Sequence, residues 1–410
     1  MERLRRSRVC QSVATLIACV GLVLHSQTAH AINVTIDYSY DTNNFFGSGN
    51  PSGAAAGLLA RNALESAATF YSDILMDTFS EISTPAPFSS STFNGVATWT
   101  WNLNFSHPAT GGNVSLTDQT IPADEYRIYA GARSIGGNTL GIGGPGGFGV
   151  SSGGNGGFFT QQEIDQINQT TTDFFDAVQT RGEPSGFSRW GGSITFDRDS
   201  STTWWYDSNS DPSGNVSDFY SVAIHELGHA LGLGTSDNWI NWVNGSNEYF
   251  GPEAVALFGG NIPLDCDIDG CGHWEEGTQS TVYGTGTPQE TAMDPTITNG
   301  DRKLLTALDA AGFSDIGWSV AAPPIPGDFT GNGTVDIPDL VQWQGDYGIN
   351  GDSDADGDAD SDANDFLIWQ RNWGTGLPGA VAVPEPNTLS ICILAVVAIA
   401  CMAMPRTKKS

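Results

Sequence analysis

Residues 221–232 read Ser-Val-Ala-Ile-His-Glu-Leu-Gly-His-Ala-Leu-Gly, the most informative pattern in the chain. His225 and His229 are four residues apart, so on a helix both side chains project from the same face. Two imidazoles at this spacing can bind one metal ion, and the carboxylate of Glu226 lies beside them. The stretch therefore predicts an apolar helix that carries a metal site. The alternative is a chance His-Glu-x-x-His on a surface helix.

The number of histidines narrows the search for a further metal ligand. The chain has six, and two of them lie within residues 1–31, which we expect to be removed. Besides the pair in the helix, His107 and His273 remain. His107 lies far upstream beside a proline and is most simply a surface histidine. A catalytic zinc usually takes three protein ligands and leaves a fourth position open, so His273 is the favoured third ligand.

A glycine marks the end of the predicted helix. Gly232 lies seven residues after His225, where it can close the helix in a tight turn. Many metzincin proteases place their third histidine three residues after this glycine. Here that position is Thr235, and Asp237 comes two residues too late to replace it. The short metzincin pattern is therefore incomplete.

The later part of the chain resembles the leishmanolysin-type metzincins, in which an insertion delays the third histidine and a Met-turn follows. Gly-His-Trp-Glu at residues 272–275 and Gln-Glu-Thr-Ala-Met-Asp-Pro at residues 289–295 stand in that order here. The resemblance implies that Met293 forms an apolar floor beneath the metal. It also implies a zinc peptidase in which His225, His229 and His273 bind the metal and Glu226 is the general base.

Two other ligand sets remain open on the sequence alone. Another zincin clan takes its third ligand from a glutamate on a later helix, and Glu248, nineteen residues after His229, could act in this way. Cys266 and Cys271 could join His273 in a second metal site. In an oxidising compartment they could instead form a local disulfide that restricts where His273 points.

Residues 32–320 are expected to form one peptidase domain of the α+β class, similar to the metzincins. Apolar positions at helical spacing predict helices, and strict alternation predicts strands. Helices are expected over residues 53–79 and 161–181. Strands are expected over residues 96–105, 126–130 and 193–196. They mix without a regular βαβ rhythm, which favours α+β over a doubly wound sheet.

Many of the 51 glycines lie in residues 136–157. This segment contains Gly141-x-Gly143-x-x-Gly146, which matches a dinucleotide-binding fingerprint by letter. The segment has no helix-forming run after it, Pro145 interrupts it, and no lysine completes a phosphate loop. We therefore reject the dinucleotide interpretation and expect a mobile surface loop.

The charge of the chain limits its partners. The 410 residues include 46 acidic and 16 basic side chains, a formal charge of −30. A surface this acidic repels phosphate, which argues against nucleic acid as a partner. At 39% hydrophobic, the chain can bury a large core.

Both ends of the chain have the pattern of export signals. Residues 1–31 combine a basic start, an apolar stretch and Ala29-His30-Ala31, as a cleaved signal peptide does. Residues 383–410 resemble the PEP-CTERM sorting signal of bacterial exported proteins. That resemblance implies recognition by an exosortase-type enzyme, with a plain membrane anchor as the alternative. We expect an exported protein, extracellular or on a bacterial surface, that meets the membrane only through its C-terminal segment.

Residues 326–375 hold an acidic repeat with a period of 26 residues. Oxygen-bearing side chains recur at the loop positions that bind Ca²⁺, and position 7 would contribute its backbone carbonyl. The first set is Asp328, Thr330, Asn332, Thr334, Asp336 and Asp339. The second set is Asp354, Asp356, Asp358, Asp360, Asp362 and Asp365. The pair resembles a dockerin, which implies a cohesin-like partner; a merely solvated acidic tail is the alternative.

These patterns together predict a secreted zinc endopeptidase that acts on protein or peptide substrates. Glu226 would accept and return the proton during peptide hydrolysis. The rival interpretation is a non-catalytic, calcium-dependent surface adhesion or assembly protein on a metzincin-like fold.

Overall fold

The computed structural model describes residues 32–155, 157–182, 187, 190–266, 270–356 and 360–376. The predicted signal peptide, the sorting segment and Asp358 lie outside these residues. Among the helices of the described part, none is both long and apolar enough to span a membrane.

The helices in the described part of the chain are α1 (Ala54–Ile74), α2 (Gln161–Gln179), α3 (Phe219–Ala230), α4 (Asp237–Ile240), α5 (Pro252–Phe258), α6 (Ala307–Asp315), α7 (Ile337–Asp346) and α8 (Ala363–Asn372). The strands are β1 (Asn33–Asp37), β2 (Phe88–Ser89), β3 (Val96–Ser106), β4 (Asn113–Thr117), β5 (Glu125–Arg133), β6 (Gly141–Pro145), β7 (Gly147–Asn155), β8 (Gly191–Asp197), β9 (Trp204–Trp205), β10 (Ser217–Asp218), β11 (Glu248–Tyr249), β12 (Ile262–Asp265), β13 (His273–Trp274), β14 (Gln279–Thr281) and β15 (Pro288–Glu290). The expected helices and strands all appear, with shifted ends, and the mixed architecture agrees with the α+β prediction.

The main sheet has the strand order β1-β5-β8-β6. Strands β1, β5 and β8 are parallel, while β6 is an antiparallel edge strand. Helices α1 and α3 share one apolar core with this sheet. The hydroxyl of Tyr71 on α1 donates to the carbonyl of Ile224 on α3 at 2.7 Å, and Tyr126 on β5 donates to Ala230 at 2.8 Å. Buried tyrosine hydroxyls thus fix the helix that carries His225 and His229 against the sheet.

A second sheet is built around β3, which pairs with β2, β4 and β7. Alternate residues of β3 are buried, as the sequence predicts, and they form a separate core with α2. Trp99 Nε1 donates to Thr171 Oγ1 on α2 at 2.9 Å. The capping box of Thr160 and Glu163 starts α2 at the position where the sequence predicts a helix.

The glycine-rich segment forms two strands, β6 and β7, so the predicted surface loop is wrong. Because glycine has no side chain, other elements can lie close to the backbone of these strands. A Cβ at Gly143 would collide with the backbone carbonyl of Glu226, and one at Gly146 would collide with the ring of Trp190. Pro145 is tolerated because β6 is an edge strand, where a missing N–H costs little.

The acidic repeat folds as two loops, each followed by a helix. Trp343 Nε1 on α7 donates to the carbonyl of Asp362 at 2.8 Å, and Trp369 Nε1 on α8 donates to the carbonyl of Asp336 at 3.0 Å. These two tryptophans are 26 residues apart, as are the two aspartates. The period seen in the sequence therefore reappears as a reciprocal pair of contacts.

Candidate metal centre

Helix α3 presents the two histidines of the motif. Its N-cap, Asp218, is fully buried and accepts hydrogen bonds from the backbone N–H of Ser221 at 3.1 Å and from its hydroxyl at 2.6 Å. The guanidinium of Arg302 pairs with the same carboxylate at 2.9 Å. A carboxylate at this position satisfies unpaired N–H groups of the first turn and favours the start of the helix.

Three imidazoles meet at one point beside α3. The Nε2 atoms of His225 and His229 are 3.0 Å apart, and His273 Nε2 lies 3.2 Å from the first and 2.9 Å from the second. No other group of three or more possible ligands in the described residues consists of histidines. The structure therefore brings the predicted third histidine to the predicted pair.

The outer nitrogens of the helix pair are held by backbone carbonyls. His225 Nδ1 lies 2.8 Å from the carbonyl oxygen of Ala292, and His229 Nδ1 lies 2.9 Å from that of Leu233. A carbonyl can only accept, so each Nδ1 carries the proton and each Nε2 presents a lone pair. This arrangement fixes the tautomer that a metal requires.

Burial favours the neutral form of His225 and His273. Desolvation, with His229 and His273 nearby, lowers the pKa of His225 well below its usual range. Desolvation and His229 lower the pKa of His273 to about 4. Neutral imidazole is the form that ligates a metal.

His273 reaches the site on β13, which pairs with β12 and places Asp265 opposite His273. Cys266 and Cys271 form a disulfide on the approach to this strand. Their thiols are therefore not available to a second metal site. Trp239 Nε1 donates to the carbonyl of Cys271 at 2.9 Å, which further fixes the entry to β13.

Asp309 on α6 joins the parts of the centre. Its buried carboxylate accepts from the indole of Trp274 at 2.8 Å and from the backbone N–H of Ala292 at 3.0 Å and Met293 at 3.3 Å. It also caps α6 by accepting from the N–H and hydroxyl of Thr306 at 2.9 and 2.8 Å. One side chain thereby orients the neighbour of His273 and the residue whose carbonyl faces His225.

Met293 lies under α3 and is 1% exposed. A Cβ added at Gly228, between the two histidines of the helix, would lie 2.6 Å from Met293 Sδ. The glycine of the motif therefore lets the methionine approach the helix. This is the position that the resemblance implied for the apolar floor.

A buried lysine neutralises the acidic residues around the Met-turn. Lys303 Nζ lies 2.6 Å from both Asp294 Oδ2 and Glu290 Oε2, and its backbone N–H donates to Ser221 Oγ at 2.8 Å. Desolvation raises the pKa of Asp294 to about 7, against the opposing effect of the lysine. Because the ammonium already occupies this cluster, its role is to tie the Met-turn to the first turn of α3.

Glu226 is 6% exposed and lies where β6 crosses α3. Glycines 141 and 143 both face it. The candidate general base is therefore enclosed between the helix and the edge strand.

The remaining candidates lie elsewhere. Glu248 accepts hydrogen bonds from the amides of Asn244 at 2.9 Å and Asn261 at 3.1 Å, outside the histidine group. His107 Nδ1 accepts from the N–H of Ala109 at 3.2 Å, as expected for a satisfied histidine. Thr235 Oγ1 donates to the carbonyl of His229 at 2.6 Å, which places this residue in a capping role.

The donor set fits zinc. Three neutral imidazole nitrogens on rigid elements, with a carboxylate alongside, are the ligands and the base that catalytic zinc sites use. His225, His229 and His273 could hold zinc through Nε2. The Nδ1 atoms of His225 and His229 would keep their hydrogen bonds to backbone carbonyls.

The repeat gathers its carboxylates in a different way. Asp339 and Asp365 are fully buried at equivalent positions, and each accepts the backbone N–H of its own helix cap, from Asp336 at 2.7 Å and from Asp362 at 2.6 Å. Asp336 Oδ1 is buried and meets no hydrogen-bond partner in the described residues.

In the second loop, ligand oxygens of Asp354, Asp356 and Asp365 lie within 4.8 Å of one another, as do those of Asp360, Asp362 and Asp365. In the first loop, Asp328 accepts the N–H of Asn332 at 3.0 Å, and Asn332 accepts the N–H of Thr334 at 2.8 Å. Thr330 Oγ1 donates to Asp339 at 2.8 Å.

Sequence reasoning missed Asp309 and the glycines of β6. Thr306-x-x-Asp309 is a capping-box pattern, so the helix start was detectable. The contacts of Asp309 with Trp274 and the Met-turn were not detectable, because they join residues distant in sequence.

We predict that Asp309→Ala lowers the free energy of unfolding by about 3 kcal/mol, because several buried donors lose their acceptor. It should also weaken zinc binding about 10- to 100-fold, as loss of a group supporting the ligands does. Thermal denaturation and zinc titration would measure both effects. The exposed Asp301→Ala is the control, and equal behaviour of the two variants would contradict the role of Asp309.

Comparison with known proteins agrees with this centre at a coarse level. Residues 161–241 match the Matrixin family of peptidases, a range that includes His225, Glu226 and His229 and ends before His273. No curated protein and no solved structure gives a significant match. The matched range, which carries the zinc-binding motif of α3, supports a metzincin-type zinc metallopeptidase that hydrolyses peptide bonds.

Proposed function

We propose that this protein is a secreted zinc endopeptidase in which His225, His229 and His273 bind the metal and Glu226 is the general base. The observation that carries the proposal is the convergence of three Nε2 atoms within 3.2 Å, with two of the outer nitrogens held by carbonyls. Chance placement of histidines would not provide these acceptors.

Zinc, when bound, supplies a Lewis acid that activates water and polarises a carbonyl. Glu226 would take a proton from the attacking water and pass it to the amine nitrogen of the leaving group. The enclosure of its carboxylate between α3 and β6 restricts its position, and restricted position is what proton transfer to a defined atom requires.

An extended peptide is the substrate form that the site favours. Strand β6 pairs only with β8 in the described residues, so one edge carries backbone groups that no strand of the main sheet uses. The same strand packs against Glu226 through the face that carries Gly141 and Gly143. A peptide that adds to the edge as a strand would bring a backbone carbonyl near the histidine group.

The delayed third histidine also supports a relationship to the leishmanolysin-type metzincins. Thr235 stands where the short pattern has its ligand, and His273 on β13 lies beside His229 instead. The export signals of the sequence motivate a location outside a bacterial cell or on its surface, with processing by an exosortase-type enzyme.

We further propose that residues 326–375 form a dockerin-like module that binds two Ca²⁺ ions and a cohesin-like partner. Clustered carboxylates in the second half, and the unpartnered Asp336 Oδ1 in the first, support cation binding. A protein whose only task is calcium-dependent adhesion is the second candidate. The intact Glu226 favours the peptidase, because adhesion does not need a base.

Glu226→Ala should abolish casein cleavage while the protein still binds one zinc per chain, because the carboxylate moves protons and is not a ligand. His273→Ala should lose zinc as well as activity. Zinc stoichiometry by atomic absorption and a casein assay distinguish the two variants.

His107→Ala is the matched control, since this histidine is satisfied away from the centre, and it should keep both zinc and activity. Equal cleavage by Glu226→Ala and the unmodified protein would contradict the peptidase proposal. Full zinc content in His273→Ala would contradict the ligand assignment.

Calcium should order the repeat, since bound Ca²⁺ neutralises the clustered carboxylates. We expect two Ca²⁺ per chain by isothermal titration, and one after Asp336→Ala. The substitution Asp352→Ala, at an exposed position outside both ligand sets, should retain two. Absence of calcium binding in the unmodified chain would contradict the dockerin-like assignment.

A further inference from the structure

We propose that Gly141 on β6 is a positioning residue for Glu226: the bare backbone at this position leaves the space that the Glu226 carboxylate occupies. The inference rests on the proposed peptidase function. It assigns a role to the glycine-rich segment, which neither the metal ligands nor the Met-turn explains.

The atoms nearest to the space above Gly141 belong to one side chain, that of Glu226. A Cβ built on Gly141 would lie 2.5 Å from Glu226 Oε1, 2.6 Å from Cγ and 2.7 Å from Cδ. Favourable contacts between heavy atoms lie near ~3.5–4.0 Å, so these distances cannot be accommodated without movement. All three nearest atoms belong to the Glu226 side chain, and its carboxylate is the group that an alanine would displace.

Backbone conformation does not require glycine at this position. No residue of β6 has a positive φ, and Gly141 and Gly144 are therefore in ordinary strand conformation. An L-residue is therefore allowed at either position as far as φ is concerned. The requirement at Gly141 is one of space alone.

The strand offers its own control. A Cβ at Gly144 would meet no atom within 4 Å. Gly144→Ala therefore makes the same chemical change in the same strand without touching Glu226. Gly143 is unsuitable as a test, because a Cβ there would collide with the backbone of Glu226 and disturb the packing of α3.

The neighbours of Glu226 explain why displacement would matter. The side chain is 6% exposed and follows His225 directly in the helix. Its backbone is fixed by α3, so a methyl group at Gly141 would move the carboxylate while the three imidazoles stay in place. A displacement of about 1 Å in a catalytic group can reduce a rate about 100-fold.

The first test is kinetic. Gly141→Ala should lower kcat about 100-fold, with KM changed little and one zinc still bound per chain. Gly144→Ala lies on the same strand but does not touch Glu226, so it should keep one zinc per chain and lose far less kcat than Gly141→Ala. Unchanged kcat in Gly141→Ala, or loss of zinc in parallel with activity, would overturn the proposal.

The second test needs no substrate and no metal. Gly141→Ala should lower the melting temperature of the unmodified protein, but not that of Glu226→Ala, in which the colliding atoms are absent. An equal decrease in both backgrounds would overturn the proposal, because the strain would then lie elsewhere. If the unmodified protein binds zinc and cleaves no peptide, the proposed function fails. The melting temperatures of the four proteins still test whether Gly141 leaves space for the Glu226 side chain.

Discussion

The buried carboxylate of Asp309 links the segments that surround the three histidines. A charged group with no exposure is costly unless its hydrogen-bonding capacity is filled, and here five donors fill it. Burial raises the pKa of Asp309, and the donors oppose that shift. The donors come from Trp274, the Met-turn and the start of α6. Their hydrogen bonds to one carboxylate therefore fix these three segments relative to one another.

The same constraint extends to the ligands. Ala292 donates its N–H to Asp309 at 3.0 Å, and its carbonyl oxygen lies 2.8 Å from His225 Nδ1. Trp274 follows His273 on β13 and is fully buried. The histidine on the helix and the histidine on the strand are thus oriented by one carboxylate that touches neither. Rigid support of this kind is how proteins produce a defined metal site.

The sequence predicted the parts of the centre that depend on local spacing. The i, i+4 histidines required only the geometry of a helix, and alternation along Val96–Ser106 identified β3. His273 was favoured because few histidines were available. The glycine-rich segment was misinterpreted, because a loop and a tightly packed strand can have the same glycine-rich composition. The packing partner of Gly141 lies 85 residues later, at Glu226, and no local pattern reveals such a contact.

In the proposed metal site, three imidazoles and no sulfur bind zinc. X-ray absorption at the zinc edge of the zinc-loaded full chain measures this directly. We expect a first shell of nitrogen and oxygen at ~2.0–2.1 Å, with outer-shell scattering from three imidazoles. Sulfur at ~2.3 Å, or a shell with fewer than three imidazoles, would contradict it.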